Sequence, residues 1–168
     1  VADLRSGNPF QQHFLDAVRQ AGFPLNSDFN GAEQEGLGVY QVTQINGERC
    51  SAARAYLHPL LSDTKRRLNL EVITGATAER ILFDGRRATG AAIRYRSELI
   101  NFTATREVIV CGGAINSPQL LMLSGIGDAA QLRQHGIEPV HHLPGVGQNL
   151  QDHPDFIFGF ASPSTELI

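Results

Sequence analysis

Apolar residues recur at Phe10, Phe14, Leu15 and Val18, the spacing of one helical face, and predict a helix opening at Asn8-Pro9. Asn8 offers an N-cap oxygen, Pro9 suits the first helical position, and Gly22 closes the segment. Residues 23–36 are polar and rich in Gly, Asn and Asp, which reads as a long loop. Leu37–Ile45 then alternates as a strand, and Asn46-Gly47 marks a hairpin turn. Ala52, Ala53, Ala55 and Leu57 favour a second helix, with Ser51 as its cap. Beyond it the texture changes to strands, expected at Leu70–Thr74, Thr77–Phe83, Ala88–Arg96, Leu99–Ala104 and Glu107–Cys111. Asp84-Gly85 reads as a hairpin turn between two of them.

The sharpest local pattern follows. Val108, Ile109 and Val110 form a continuous apolar run, expected to be a strand buried on both faces as in a parallel sheet. Gly112 and Gly113 then permit close backbone approach. Ser117 is expected to cap a helix with Pro118 at its first position, and Gly125 to stop it. Strand, glycine turn and helix N-terminus together would set free N–H groups at the C-terminal edge of a sheet, where anions bind in open α/β folds. A tight strand-to-helix connection with no ligand is the plain alternative.

Composition narrows the class. A chain of 168 residues, 42% hydrophobic, is one domain's worth of sequence or a large piece of a bigger protein. The formal charge is −3 and the arginines are scattered, with Lys65-Arg66-Arg67 the only basic run, so a nucleic-acid partner is not expected. No apolar stretch approaches the roughly 20 residues a membrane span needs. The opening Val1-Ala2-Asp3-Leu4-Arg5 lacks a secretory pattern and an initial Met, as a processed or excised piece would. Cys50 and Cys111 form no CxxC and are read as buried free thiols, which fits a reducing, cytoplasmic compartment.

Candidate chemistry is sparse. Gly145-Val146-Gly147 begins a G-x-G-x-x-G fingerprint, but Leu150 takes the third glycine's place and Pro144 precedes it. Gly36-Leu37-Gly38 and Gly125-Ile126-Gly127 also lack that glycine in register, and no phosphate loop is present. Among the histidines, His141 and His142 are neighbours that would point to opposite faces of a strand, so they cannot serve one metal ion. Asp152-His153 could in principle orient a base, although a turn is the simpler reading. Ser117 and Ser124 sit in no nucleophile elbow. Asp28, Glu33 and Glu35 read as solvated charges of the Gly-rich loop.

Three stretches together resemble one family. Gly113-Ala-Ile-Asn-Ser117-Pro118-Gln-Leu-Leu-Met-Leu-Ser124-Gly125-Ile126-Gly127 is similar to a signature of the glucose–methanol–choline (GMC) oxidoreductases. Asp28-Phe-Asn-Gly31 through Leu57 and Leu143-Pro-Gly-Val-Gly-Gln-Asn149-Leu-Gln-Asp152-His153-Pro154 resemble the same family, in the same order. The likeness is greatest to its choline dehydrogenase and alcohol dehydrogenase (acceptor) branch.

The resemblance implies an FAD enzyme that moves hydride from an alcohol substrate to flavin and passes the electrons to an acceptor. It implies an α/β (α+β mixed) fold: part of a Rossmann-like FAD-binding domain, with strands leading into an antiparallel substrate domain. Residues 47–150 would be mainly FAD-binding, and residues 23–46 and 154–168 would border the substrate domain. The backbone of Ala78 would meet the adenine edge. Gly112, Gly113 and Ala114 would pass near the ribose and pyrophosphate, with Ser117 beside them. Asn149, Asp152 and His153 would join the two domains as structural residues, and Val39–Ile45 and Phe156–Phe160 would belong to the substrate-side sheet. The family's dinucleotide fingerprint and catalytic histidine match nothing here, so the resemblance implies an internal portion, inactive alone and with no catalytic residue of its own. Such a piece is expected to expose sheet edges and to self-associate. A hydroxynitrile-lyase-like relative and a cofactor-free scaffold are the competing readings.

Overall fold

Asn8 starts the first helix through its side chain, whose Oδ1 accepts the Phe10 amide at 2.9 Å. Helix α1 (Phe10–Gln20) follows, with Pro9 already at helical angles just before it, and Gly22 at φ +77° turns the chain out. In this computed structural model, which describes residues 1–5, 7–62, 69–159 and 161, the chain forms two compact units. One comprises Val1–Glu71 with Ile157–Ile168, and the other Val72–Phe156.

In the first unit, Val18 of α1 is buried, while Phe10 and Phe14 on the same helix stay exposed. Strand β1 (Ala2–Asp3) pairs antiparallel with β2 (Gln41–Val42). β3 (Gln44–Ile45) pairs with β4 (Glu48–Arg49) across Asn46-Gly47, both residues at positive φ as a tight hairpin turn requires. The long strand expected over Leu37–Ile45 is broken. Leu37 instead bridges Leu25, and the Gly38 backbone passes so near Asn26 that an added Cβ would lie 1.9 Å from the Asn26 carbonyl oxygen. Asn26 holds this loop: its amide donates to the Glu33 carbonyl at 2.7 Å and its Oδ1 accepts the Asp28 amide at 2.8 Å. Ser51 caps the next helical segment as expected, its hydroxyl accepting the Arg54 amide at 3.2 Å. That segment is wound as a π-helix over Ala53–Leu57 and runs into the single turn α2 (His58–Leu61). The basic run at Lys65 lies outside the described residues.

The second unit is built on an antiparallel meander of β5 (Ala76–Asp84), β6 (Arg87–Tyr95) and β7 (Glu98–Thr103). Its first turn is Gly85-Arg86, one residue later than expected, with Gly85 at φ +56°. The second is Arg96-Ser97, where both residues take positive φ without a glycine. The Arg96 guanidinium lies 5.1 Å from the Tyr95 ring centre. Ala92 and Ile81 are buried in this unit, and Ile81 shares its sheet face with Ala91. Helix α3 (Gly113–Leu123) packs on β5 and on the short β8 (Ile126–Gly127), whose parallel partner is β9 (His141–His142). Between them lies α4 (Ala129–Gln134), capped by Asp128, whose carboxylate accepts the amides of Ala130 and Gln131 at 3.0 and 2.9 Å.

Two expected strands of this region are absent. Residues 70–74 and 107–111 form no ladder, and Ile109 is 74% exposed where burial on both faces was expected. A parallel strand exists only where neighbours take up its amides and carbonyls, and no described strand lies beside either segment. Phe156–Gly159 is likewise without a strand, and Phe160 lies outside the described residues. Neither thiol is buried: Cys111 is exposed and Cys50 half-buried.

Candidate functional site

The strand-to-helix turn is displaced from where the sequence puts it. α3 begins at Gly113, so the donor-rich N-terminus belongs to Gly112, Gly113 and Ala114. Ser117 is the fifth helical residue and makes no capping bond, and Pro118 lies inside the helix. The sequence favoured Ser-Pro as a start because proline lacks an N–H, yet Gly113 takes φ +84° and turns the chain into the helix earlier.

A cleft of about 610 Å³ opens between the β5–β6 face and residues 108–123. Its apolar walls come from Ala76, Ala78, Ile81, Ala91, Ile93, Val108 and Val110. Its polar side chains are Thr77, Asn116 and Gln119, with Cys111 the one titratable lining group among the described residues. Ala78 is exposed and precedes an irregularity in β5, where Glu79 is the extra residue between the pairs Ala78–Ile93 and Arg80–Ala92. Bulges of this kind re-aim an edge strand. Glu79 itself pairs with Arg94 across the sheet.

A second cleft of about 690 Å³ lies on the other face of α3, lined by Ala114, Ser117, Pro118 and the segment Gly145–Gln151. The five residues singled out from sequence are therefore divided. Ala78 and Gly112 share the first cleft, Ala114 and Ser117 line the second, and Gly113 lines neither. Asn116, Gln119, Leu120 and Leu123 of the first cleft escaped notice. They follow Gly112 at helical spacing, a signal readable only once the helix is started at Gly113 rather than Ser117.

The first cleft suits a flat ring with a charged tail. Small side chains at Ala76, Ala78 and Ala91 leave an apolar slot, and Gly112, the residue that precedes the eleven-residue helix α3, lines the same cleft. Gly112 keeps that approach open, since a Cβ there would come within 3.2 Å of Asn116 Cβ. The cleft has no carboxylate or imidazole, so it can bind but has no acid–base pair. The rings of His141 and His142 are engaged elsewhere. The Arg86 guanidinium lies 2.8 Å from Nδ1 of His141, and Nδ1 of His142 accepts the Ala129 amide at 3.1 Å, so the two rings serve different partners. The Asp152 carboxylate accepts the backbone amide of His153 at 2.9 Å, a local turn contact.

The sequence pattern of the family described as GMC oxidoreductase matches residues 1–155. The chain is 48% identical over 166 residues to an alcohol dehydrogenase (acceptor) of Pseudomonas putida, covering 98% of this chain and 29% of that protein. It is 51% identical over 153 residues to the human mitochondrial choline dehydrogenase, covering 91% of this chain and 25% of the relative. Among solved structures it superposes on an Aspergillus oryzae formate oxidase, described for modification of its FAD, with a TM-score of 0.72 and 30% identity, over 86% of this chain and 24% of that one. A pyridoxine 4-oxidase from Mesorbium loti gives 0.70 and 28%, over 90% of this chain and 29% of that one. The chain thus spans less than a third of the length of the relatives it matches.

Proposed function

This chain belongs to the GMC oxidoreductase family, and on that premise we propose that it carries the ADP-facing part of an FAD site in an alcohol-oxidising flavoenzyme. The observation that supports the reading is the cleft in which the Ala78 edge of β5 faces the Gly112 end of α3. The slot beside Ala78 receives the adenine ring, whose edge can bond the β5 backbone. Gly112 would offer its backbone to the ribose and pyrophosphate at the end of the first cleft, with Gly113 next to it in the turn, while Ala114 and Ser117 line the second cleft and would meet the phosphates only from that side of α3. Flavin held there would supply the hydride-accepting chemistry, with the protein supplying position and electrostatics.

The described lining of this cleft holds no carboxylate or imidazole, so the proposal assigns substrate chemistry to parts of the enzyme outside it. There, a small alcohol of the choline or primary-alcohol class and an electron acceptor are the partners. Residues 47–150 serve the FAD domain, and residues 23–46 and 154–168 border the substrate domain. No helix among the described residues is long and apolar enough to cross a membrane. A cytoplasmic setting is part of the proposal, supported by the two free thiols, as is self-association of the chain through its exposed sheet edges.

The test is a titration of FAD into the 168-residue chain, followed by flavin fluorescence, with ADP and NAD as competitors. Saturable binding displaced by ADP is expected. Absence of binding by a chain that still melts cooperatively would leave a scaffold and remove the reading.

A further inference from the structure

Ser124 is a buried polar residue at the end of α3, only 7% exposed. Its hydroxyl donates to the Leu120 carbonyl at 2.5 Å and accepts the Ile81 amide at 2.8 Å. The first bond is a common local one, available to any serine at a helix end. The second joins residues 43 positions apart. β5 is an edge strand of the meander, and an amide that bonds to α3 from it is not bonding to β6. Without the hydroxyl, this buried N–H would lose its partner.

Both residues held by Ser124 line the ADP-facing cleft: Ile81 from the sheet wall and Leu120 from the helix wall. The hydroxyl therefore fixes the two walls to each other at one end. α3 spans about 16 Å at 1.5 Å per residue. Pinned at Ser124, its far end carries Gly112 to a set distance from the Ala78 edge. A small tilt at the pin is magnified at the amides that would meet the phosphates.

We propose that Ser124 is a positioning residue of the nucleotide cleft, setting the span between the adenine slot at Ala78 and the helix N-terminus at Gly112 by tying Ile81 to Leu120. The inference rests on the ADP-facing reading of the cleft.

The experiment compares the unaltered chain with Ser124→Ala, Ser124→Cys and Ser124→Thr, reading ADP affinity by calorimetry and Ile81 amide exchange by NMR. Temperature is held where every variant compared is folded. Ser124→Ala is expected to speed Ile81 exchange and weaken ADP about tenfold, as loss of one buried bond in the wall would do. Ser124→Thr, which keeps the hydroxyl, is expected to restore both. Ser124→Cys, a weaker acceptor of similar size, should fall between and decides the matter if the alanine variant does not fold. Faster Ile81 exchange with unchanged ADP affinity, in either the alanine or the cysteine variant, overturns the proposal. Failure of the unaltered chain to bind ADP at all removes the site reading instead, and shows before any variant is compared.

Discussion

A methyl group on Gly125 would stand 2.7 Å from the carbonyl oxygen of Glu138, well inside contact distance. The same glycine has φ +87°, and its own carbonyl accepts the amides of Val140 and His141 at 2.8 and 3.1 Å. Turn, close approach and β8–β9 pairing thus meet at one residue. Gly125→Ala is expected to destabilise the second unit by about 3 kcal/mol, combining left-handed strain with displacement of residues 138–140. Thermal melting checks it, and a loss below 1 kcal/mol would refute the packing argument.

Gly113 separates those two contributions. Its φ is +84°, but nothing lies within 4 Å of the position a Cβ would take. Gly113→Ala is therefore expected to lose only the conformational part, about 1 kcal/mol. Urea denaturation of the two glycine variants side by side should show Gly125→Ala as clearly the more damaging. Equal losses would mean that steric contact with Glu138 and Val140 contributes nothing.

Asp128 caps α4 with two amide bonds. Asp128→Ala should lower stability by about 1 kcal/mol and Asp128→Asn by much less, since the amide oxygen still caps. A fall in the denaturation midpoint without a change in slope is the expected form. An alanine variant as stable as the parent would show that the cap is immaterial.

Cys111 gives a chemical reading of the cleft. It is exposed and lines the proposed nucleotide site, whereas Cys50 lies in the other unit. Alkylation of Cys111, followed by peptide mass spectrometry, is expected to slow about tenfold at ADP ten times its Kd, with Cys50 unaffected. Undiminished labelling of Cys111 at saturating ADP would place the nucleotide elsewhere.

What could be read in the sequence was whatever short-range chemistry decides. Asn46-Gly47, the Asn8 and Ser51 caps, Gly22 and the three meander strands all depend on neighbours a few positions away. The family was legible for a similar reason, since its motifs are contiguous runs, and the alcohol dehydrogenase and choline dehydrogenase relatives agree with the branch inferred from them. The misses arise where distant backbone decides. Leu37 pairs with Leu25 instead of extending a strand, and Val108–Val110 has apolar side chains but no neighbouring strand to complete a ladder. The Arg96-Ser97 turn carries no glycine to announce its positive φ values; the register of β6 and β7 imposes them. The start of α3 was missed because Ser117-Pro118 imitates a helix start that Gly113 had already made.

The meander has a consequence in time. Its strands are joined by two-residue turns, so its pairings close between near neighbours, and such contacts form early in folding. The bond from Ile81 to Ser124 spans 43 positions and must wait for α3 to arrive. Pulse-labelled exchange should then protect the β5–β6 amides ahead of the Ile81 amide. The sheet wall would stand first as an unfinished template, and a recess able to hold a nucleotide would exist only after the slowest closure.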